Sequence, residues 1–155
     1  NLNCTSKVKI GNWDVANYGN ANYGTRSIES AFAVSSNTGF AELCTEIGPD
    51  KVADMAHKCG IESDLESVPS ITLGVEEVSV LEMAQAYATI ANGGTLHKAN
   101  CIEEIKDSSG QVIYHADTRG DKVLNTDLTQ AAVEVMEGVV QKGTGNNDTL
   151  LFPAG

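Results

Sequence analysis

Hydrophobic positions change period several times along the chain, and each change marks an element. Lys7-Val8-Lys9-Ile10 alternates polar and apolar as a short strand does. The run that follows, Asn17-Tyr18-Gly19-Asn20-Ala21-Asn22-Tyr23-Gly24, has little helix propensity and predicts a structured loop. From Ser27 the period is helical, with Ile28, Ala31, Phe32 and Ala33 giving an apolar face up to Val34. Ser35-Ser36-Asn37 interrupts it with three side chains that hydrogen-bond locally and favour caps over helix interiors. Phe40, Leu43 and Ile47 then resume at i, i+3 and i+7, as far as Gly48. Pro49 suits the first turn of a third helix, which is expected to bury Val52, Met55, Ala56 and Cys59 and to end at Gly60.

Residues 61–78 read as a connector, because Ser67-Val68-Pro69-Ser70 and Gly74 argue against regular structure. Ser79-Val80-Leu81-Glu82 is a capping box, in which the two side chains satisfy each other's backbone N–H groups. The helix it opens runs through Leu81, Ala84, Gln85, Ala88 and Thr89 to Asn92-Gly93-Gly94. Beyond it, Ile102 and Ile105 on one side and Val112-Ile113-Tyr114 on the other flank the turn Asp107-Ser108-Ser109-Gly110, which predicts a β-hairpin. A last helix is expected from near Thr126 to Gly143, carrying Leu128, Ala132, Val135, Met136 and Val139, with a loop-like tail from Asn146 to Gly155. The pattern predicts a helix-rich α+β chain with too few strands for a full sheet of its own.

Composition narrows the function more than the fold. At 155 residues, 41% hydrophobic and 20% charged, the chain is the size of one compact domain or a large piece of one, long enough to bury a core without metals or disulfides. A formal net charge of −11 excludes an electrostatic nucleic-acid binder and simple adhesion to an anionic membrane surface. No apolar run is long enough to span a bilayer. The start, Asn-Leu-Asn-Cys, has no initiator Met, basic segment or apolar stretch, as expected of a piece cut from something longer. Cys4, Cys44, Cys59 and Cys101 lack zinc-ligand spacing, and a disulfide among them is permitted if the protein works outside the cytoplasm. His57, His97 and His115 lie far apart, so surface or packing roles are expected and neither a metal nor a cofactor is implied.

The candidate chemistry lies at Ser35-Ser36-Asn37. Between two helices, these side chains can point into a cleft, where a hydroxyl and a carboxamide two residues apart offer a proton relay and a two-way hydrogen-bonding amide. The simpler local reading is that Ser35 and Asn37 only cap the flanking helices. The surrounding text favours chemistry. Ser27 to Phe40 resembles the helix and Ser-x-Asn motif of penicillin-binding proteins, and the likeness continues through Ile47-Gly48-Pro49-Asp50-Lys51-Val52-Ala53 and Cys59-Gly60-Ile61. It is closest at Pro69-Ser70-Ile71-Thr72-Leu73-Gly74 and at the stretch from Val80 to Gly94, especially to the bifunctional class.

That resemblance implies a penicillin-binding/β-lactamase-like transpeptidase fold and a peptidoglycan D,D-transpeptidase that cross-links stem peptides by serine acyl transfer. In the family, Ser-x-x-Lys, Ser-x-Asn and Lys-Thr-Gly build one site. Ser35 would then sit in the relay that carries the proton to the leaving group, and Asn37 would hold the donor peptide's amide and help orient the first-motif Lys. Stem peptides and β-lactam antibiotics are the implied partners. The implied location is the cell envelope, with the membrane reached only through a part of the parent protein N-terminal to these residues.

The sequence departs from the pattern at both ends. Lys142-Gly143-Thr144-Gly145 has the wrong order for Lys-Thr-Gly and follows directly on a helix, whereas Pro153-Ala154-Gly155 is the sort of segment that leads into that motif. The only Ser-x-x-Lys is Ser6-Lys7-Val8-Lys9, which falls on the predicted strand and too close to Ser35 for the family spacing. Residues 1–155 therefore read as a single incomplete transpeptidase domain that lacks both flanking motifs and is inactive alone. The alternative is a non-catalytic sensor or interaction module of the same fold. An unrelated helical domain, with Ser35 and Asn37 as mere caps, is the third reading. Trp13, Tyr18 and Tyr23 could line a cleft rim or anchor the loop.

Overall fold

Four short strands open the chain in a computed structural model that describes residues 1–146. β1 (Leu2–Cys4) pairs antiparallel with β4 (Gly24–Arg26), and β2 (Lys7–Ile10) with β3 (Trp13–Ala16), Val8 facing Val15. Of these four only β2 is legible as a strand, since three or four residues give periodicity too little to act on. Between β3 and β4 the Asn- and Gly-rich run is ordered as predicted, with a single 3-10 turn at Tyr18–Asn20.

Three helices follow in quick succession: α1 (Ile28–Ala33), α2 (Asn37–Ile47) and α3 (Pro49–Lys58), with Pro49 in the first turn of α3. The connector holds one 3-10 turn at Pro69–Leu73, closed by Gly74 in the left-handed region at φ 76°. α4 (Val80–Ala91) begins at the predicted capping box. β5 (Thr95–Leu96) pairs with β8 (Asp121–Lys122), and β6 (Glu104–Lys106) with β7 (Val112–His115) as the expected hairpin. α5 (Thr126–Lys142) ends the described part. Among the described residues the strands form four separate two-stranded pairs, which is the helix-rich α+β architecture the pattern predicts. The tail after Asn146, with Pro153-Ala154-Gly155, lies outside the described residues.

α2 is central, packed against β1 and the 3-10 turn at Pro69–Leu73, while α1 and α4 both pack on α5. The fully buried side chains are small: Thr38, Thr89, Cys4 and Ser36 are the largest of them. Larger apolar groups line an open groove of about 730 Å³ between α1, α3, α4 and α5, among them Phe32, Met55, Met83, Tyr87, Leu128 and Met136. This corrects the expectation that α3 buries Met55, which is 40% exposed, while Ala53 faces inward instead. Methionine at an open groove keeps its apolar contacts on one side only.

The capping box also anchors the connector. Besides the Ser79 N–H (2.8 Å), the Glu82 carboxylate accepts the N–H groups of Glu62 (2.8 Å) and Ser63 (2.7 Å) and the Ser63 hydroxyl. These bonds, Ser79 foremost and Ser63 after it, hold the carboxyl at a pKa of about 2 against an ordinary 4.5. A depressed carboxyl stabilises the fold above its unfolded pKa and loses that contribution as pH falls toward the folded value. The melting temperature should therefore drop between about pH 4.5 and 2, and Glu82→Gln should flatten that slope while lowering stability at neutral pH. An unchanged slope in the variant would refute the linkage.

All four cysteines are free, with Cys4, Cys44 and Cys59 buried and Cys101 exposed. Burial pushes the Cys44 and Cys59 thiols up, which suppresses the reactive thiolate. Titration with a disulfide reagent should show Cys101 reacting fast in the native chain and the buried thiols only after denaturation. A rapid reaction of any buried thiol would contradict the packing.

Candidate active site

The junction of α1 and α2 is built from two caps placed back to back. The Ser35 N–H donates to the Phe32 carbonyl (2.9 Å) and the Ser36 N–H to the Ala31 carbonyl (3.0 Å), the paired bonds of a Schellman motif closing α1. Ser35 occupies its left-handed position at φ 54°, where glycine is usual. Ser36 is simultaneously the N-cap of α2, its Oγ accepting the Gly39 N–H at 3.2 Å. The reading of Ser35 and Asn37 as side-chain caps is thus corrected: the side-chain cap is Ser36, which is buried, while Ser35 closes α1 through its backbone alone, and both neighbouring side chains are free of capping.

Ser35 is exposed and Asn37 half-buried, and both line a cleft of about 440 Å³. Phe32 and Phe40 form one wall in an edge-to-face pair at 5.8 Å, and Thr72, Leu73 and Thr144 complete it from the connector and from the end of α5. A volume of this size suits a small ligand or an extended peptide segment. Asn37 Nδ2 donates to the Ala16 carbonyl at 2.9 Å, which fixes the amide's orientation and leaves Oδ1 facing away from that bond. The site therefore offers a hydroxyl donor-acceptor at Ser35 and an amide at Asn37 with both functions still in play.

A buried residue that the sequence reading passed over organises this corner. Asn17, 3% exposed at the end of β3, accepts the Thr38 N–H at 3.1 Å and the Ser36 hydroxyl at 3.3 Å through Oδ1. Its Nδ2 reaches the carbonyls of Thr5 and Ala21, each at 3.0 Å, and of Cys4 at 3.3 Å. The Thr38 hydroxyl donates to the Thr5 carbonyl at 2.8 Å. In a run of three Asn residues and two Gly, nothing marked Asn17 as the inward one. Tyr18 beside it is 92% exposed, and Tyr23 stacks under the Arg26 guanidinium at 5.7 Å.

Other candidates fall away from the cleft. Ser6 directly precedes β2 and Lys9 lies within it, and along a strand side chains three apart point to opposite faces, which sets the two apart as a nucleophile and its base. Lys142 lies on α5 and pairs with Glu29, and Gly143 caps that helix, so Lys142-Gly143-Thr144-Gly145 is a helix end and no strand motif. The three histidines are exposed and bond backbone carbonyls. The 3-10 turn carrying Thr72 and Leu73 was read from sequence only as connector, and its Pro69 start was the available signal.

Residues 2–153 match the family model described as the penicillin binding protein transpeptidase domain. Among curated proteins, the chain is 32% identical over 126 residues to penicillin-binding protein 1A of Rickettsia typhi, covering 79% of the chain and 16% of that protein. It is 31% identical over 139 residues to penicillin-binding protein 1A of Aquifex aeolicus, covering 90% of the chain and 19% of that protein. The chain thus spans less than a fifth of the length of either. Among solved structures, PonA1 of Mycobacterium tuberculosis in complex with penicillin V superposes with a TM-score of 0.81 at 27% identity, covering 90% of this chain and 41% of that one. The D,D-transpeptidase domain of a peptidoglycan glycosyltransferase from Eggerthella lenta shares the fold, with a TM-score of 0.77 at 24% identity over 97% of this chain and 45% of that one.

Proposed function

The chain belongs to the penicillin-binding protein transpeptidase family, and from that premise we propose that it forms the central wall of a peptidoglycan D,D-transpeptidase site. The reaction is serine acyl transfer on stem peptides. A serine hydroxyl from a Ser-x-x-Lys segment outside these residues attacks the D-Ala–D-Ala carbonyl. The serine ester forms, the peptide C–N bond breaks, and the departing D-Ala nitrogen takes up the proton that the serine loses. The Ser35 hydroxyl relays that proton, accepting on one side as it donates on the other. Asn37 holds the donor peptide, Oδ1 accepting a peptide N–H and its remaining Nδ2 proton donating to a carbonyl or to the side chain of the first-motif Lys. An acceptor amine on a second stem peptide then displaces the ester, and the serine regains its proton.

The observation that carries this reading is Ser35 itself: an exposed hydroxyl residue at φ 54° on a cleft wall, beside an amide already oriented by Ala16. A non-glycine residue in that region costs about 1–3 kcal/mol and persists where the surroundings over-determine it, as at functional sites. β-Lactams would acylate the same nucleophile as mimics of the donor peptide. Support comes from the likeness to PonA1, which was solved with penicillin V. The proposed location is the cell envelope, with anchoring by a segment outside these residues; among the described residues no helix is long and apolar enough to cross a membrane.

Intact mass after incubation with excess benzylpenicillin tests the reading, on this chain and on a protein extended through the flanking coding sequence in both directions. A single penicilloyl adduct on the longer protein alone is expected. Labelling of neither would leave a non-catalytic module as the better account, and labelling of the short chain would bring Ser6 back as the nucleophile.

A further inference from the structure

We propose that Asn17 is the positioning residue of the Ser35–Asn37 site, holding the backbone turn on which both active side chains are mounted. The proposal rests on the transpeptidase reading above. Its basis is a convergence at one buried amide. Oδ1 accepts the Thr38 N–H and the Ser36 hydroxyl, so it grips the residues on both sides of Asn37. Nδ2 ties the same point to the carbonyls of Cys4, Thr5 and Ala21, drawing in the strand ends of β1 and the loop before β4. The preceding residue, Ala16, supplies the carbonyl that orients the Asn37 amide. One dipeptide, Ala16-Asn17, therefore fixes both the height of the turn and the rotation of the catalytic carboxamide.

The strained residue makes this more than packing. Ser35 at φ 54° sits between the end of α1 and Ser36. Its conformation holds only while Ser36 is kept down as the N-cap, and the Ser36 hydroxyl is anchored by Asn17 from beneath. Release of Ser36 lets residues 34–37 relax toward ordinary backbone angles, which swings the Ser35 hydroxyl away from the cleft. A displacement on the order of 1 Å is enough to cost about 10²-fold in rate.

The test is the saturation kinetics of acylation by benzylpenicillin in the full-length protein, which separates the first-order acylation constant from the apparent dissociation constant. Asn17→Ala should lower the acylation constant about 10²-fold with little change in the dissociation constant. Thr89→Val serves as the control. Thr89 is buried, its hydroxyl lies 3.1 Å from the Cys59 carbonyl, and it stands apart from the cleft. Its loss should lower the melting temperature while leaving the acylation constant within about twofold of wild type. Should Asn17→Ala fail to fold, Thr38→Val removes the hydroxyl that lies between Asn17 Oδ1 (3.2 Å) and the Thr5 carbonyl (2.8 Å) and keeps the shape, with a drop of roughly tenfold expected. A folded Asn17→Ala or, in its place, Thr38→Val acylated at the wild-type rate overturns the role of Asn17. An equal drop in Thr89→Val does so too, since the effect would then be general softening. A wild-type protein that is never acylated overturns the transpeptidase reading itself, a different signature.

Discussion

Replacing Ser35 with glycine should lower the rate of acylation by benzylpenicillin about 10²–10⁴-fold, the usual contribution of a positioned proton-transfer group, without weakening the fold. The two effects separate because of the backbone. Ser35 holds the left-handed position of a Schellman motif, where a Cβ costs about 1–2 kcal/mol and glycine costs nothing. Against that gain stands the greater freedom of glycine in the unfolded chain, about 0.5–1 kcal/mol. The net change should lie between neutral and about 1.5 kcal/mol more stable. Ser35→Ala would remove the same hydroxyl but keep the steric conflict, so it should lose rate alike and gain no stability. The measurement is a time course of penicilloyl mass in the full-length protein, beside thermal unfolding of the same samples. A Ser35→Gly protein acylated at the wild-type rate would remove the hydroxyl from the relay. A strong loss of melting temperature would instead mean that the serine side chain is itself a structural support.

Gly143→Ala should be the most damaging single methyl in the described structure near the site. A Cβ there would fall on the Ala33 carbonyl oxygen and within 2.9 Å of Val139 Cα. Both are backbone, so neither can rotate away. Ala33 ends α1 two residues before Ser35, and its carbonyl accepts the Thr144 N–H at 3.0 Å. Inserting the methyl pushes the end of α5 off α1, costs about 1–3 kcal/mol as overpacking does, and moves Thr144 out of the cleft wall. Gly138→Ala on the same helix is the matched contrast. Its Cβ would meet only Lys142 Cε at 3.5 Å and Glu29 Oε1 at 3.9 Å, ordinary contact distances. That change should stabilise by about 0.4–1 kcal/mol through the unfolded state. Urea unfolding of the two variants decides the matter: shifts of the same sign would refute the packing of α5 against Ala33.

Much of the frame was written in local signals that act over three or four residues. The capping box at Ser79 and Glu82, the Pro49 helix start and the turn at Asp107-Ser108-Ser109-Gly110 all work within one turn of chain, so sequence order alone reveals them. The helical period shows a break at Ser35-Ser36-Asn37, which locally offers only caps; the resemblance to the Ser-x-Asn motif of penicillin-binding proteins is what marks Ser35 and Asn37 as candidates. What escaped depends on distant partners. Nothing near Asn17 says that its amide is inside, since its bonds run to residues as far along as Thr38. Ser36 was overlooked for a related reason: three consecutive polar residues give no indication of which one turns inward until Asn17 and Gly39 are in place. The inward placing of Met55 failed because amphipathic spacing locates an apolar face without saying whether anything covers it.

The open groove between α1, α3, α4 and α5 also governs how the isolated chain behaves as a colloid. Its apolar lining would draw two copies together, and the formal charge of −11 holds them apart. The balance is set by the range of that repulsion, about 10 Å at 0.1 M salt and 3 Å at 1 M. Concentrated sulfate, which both screens the charge and strengthens apolar burial, should turn a clear dilute solution into one that scatters light, and dilution of the salt should clear it again.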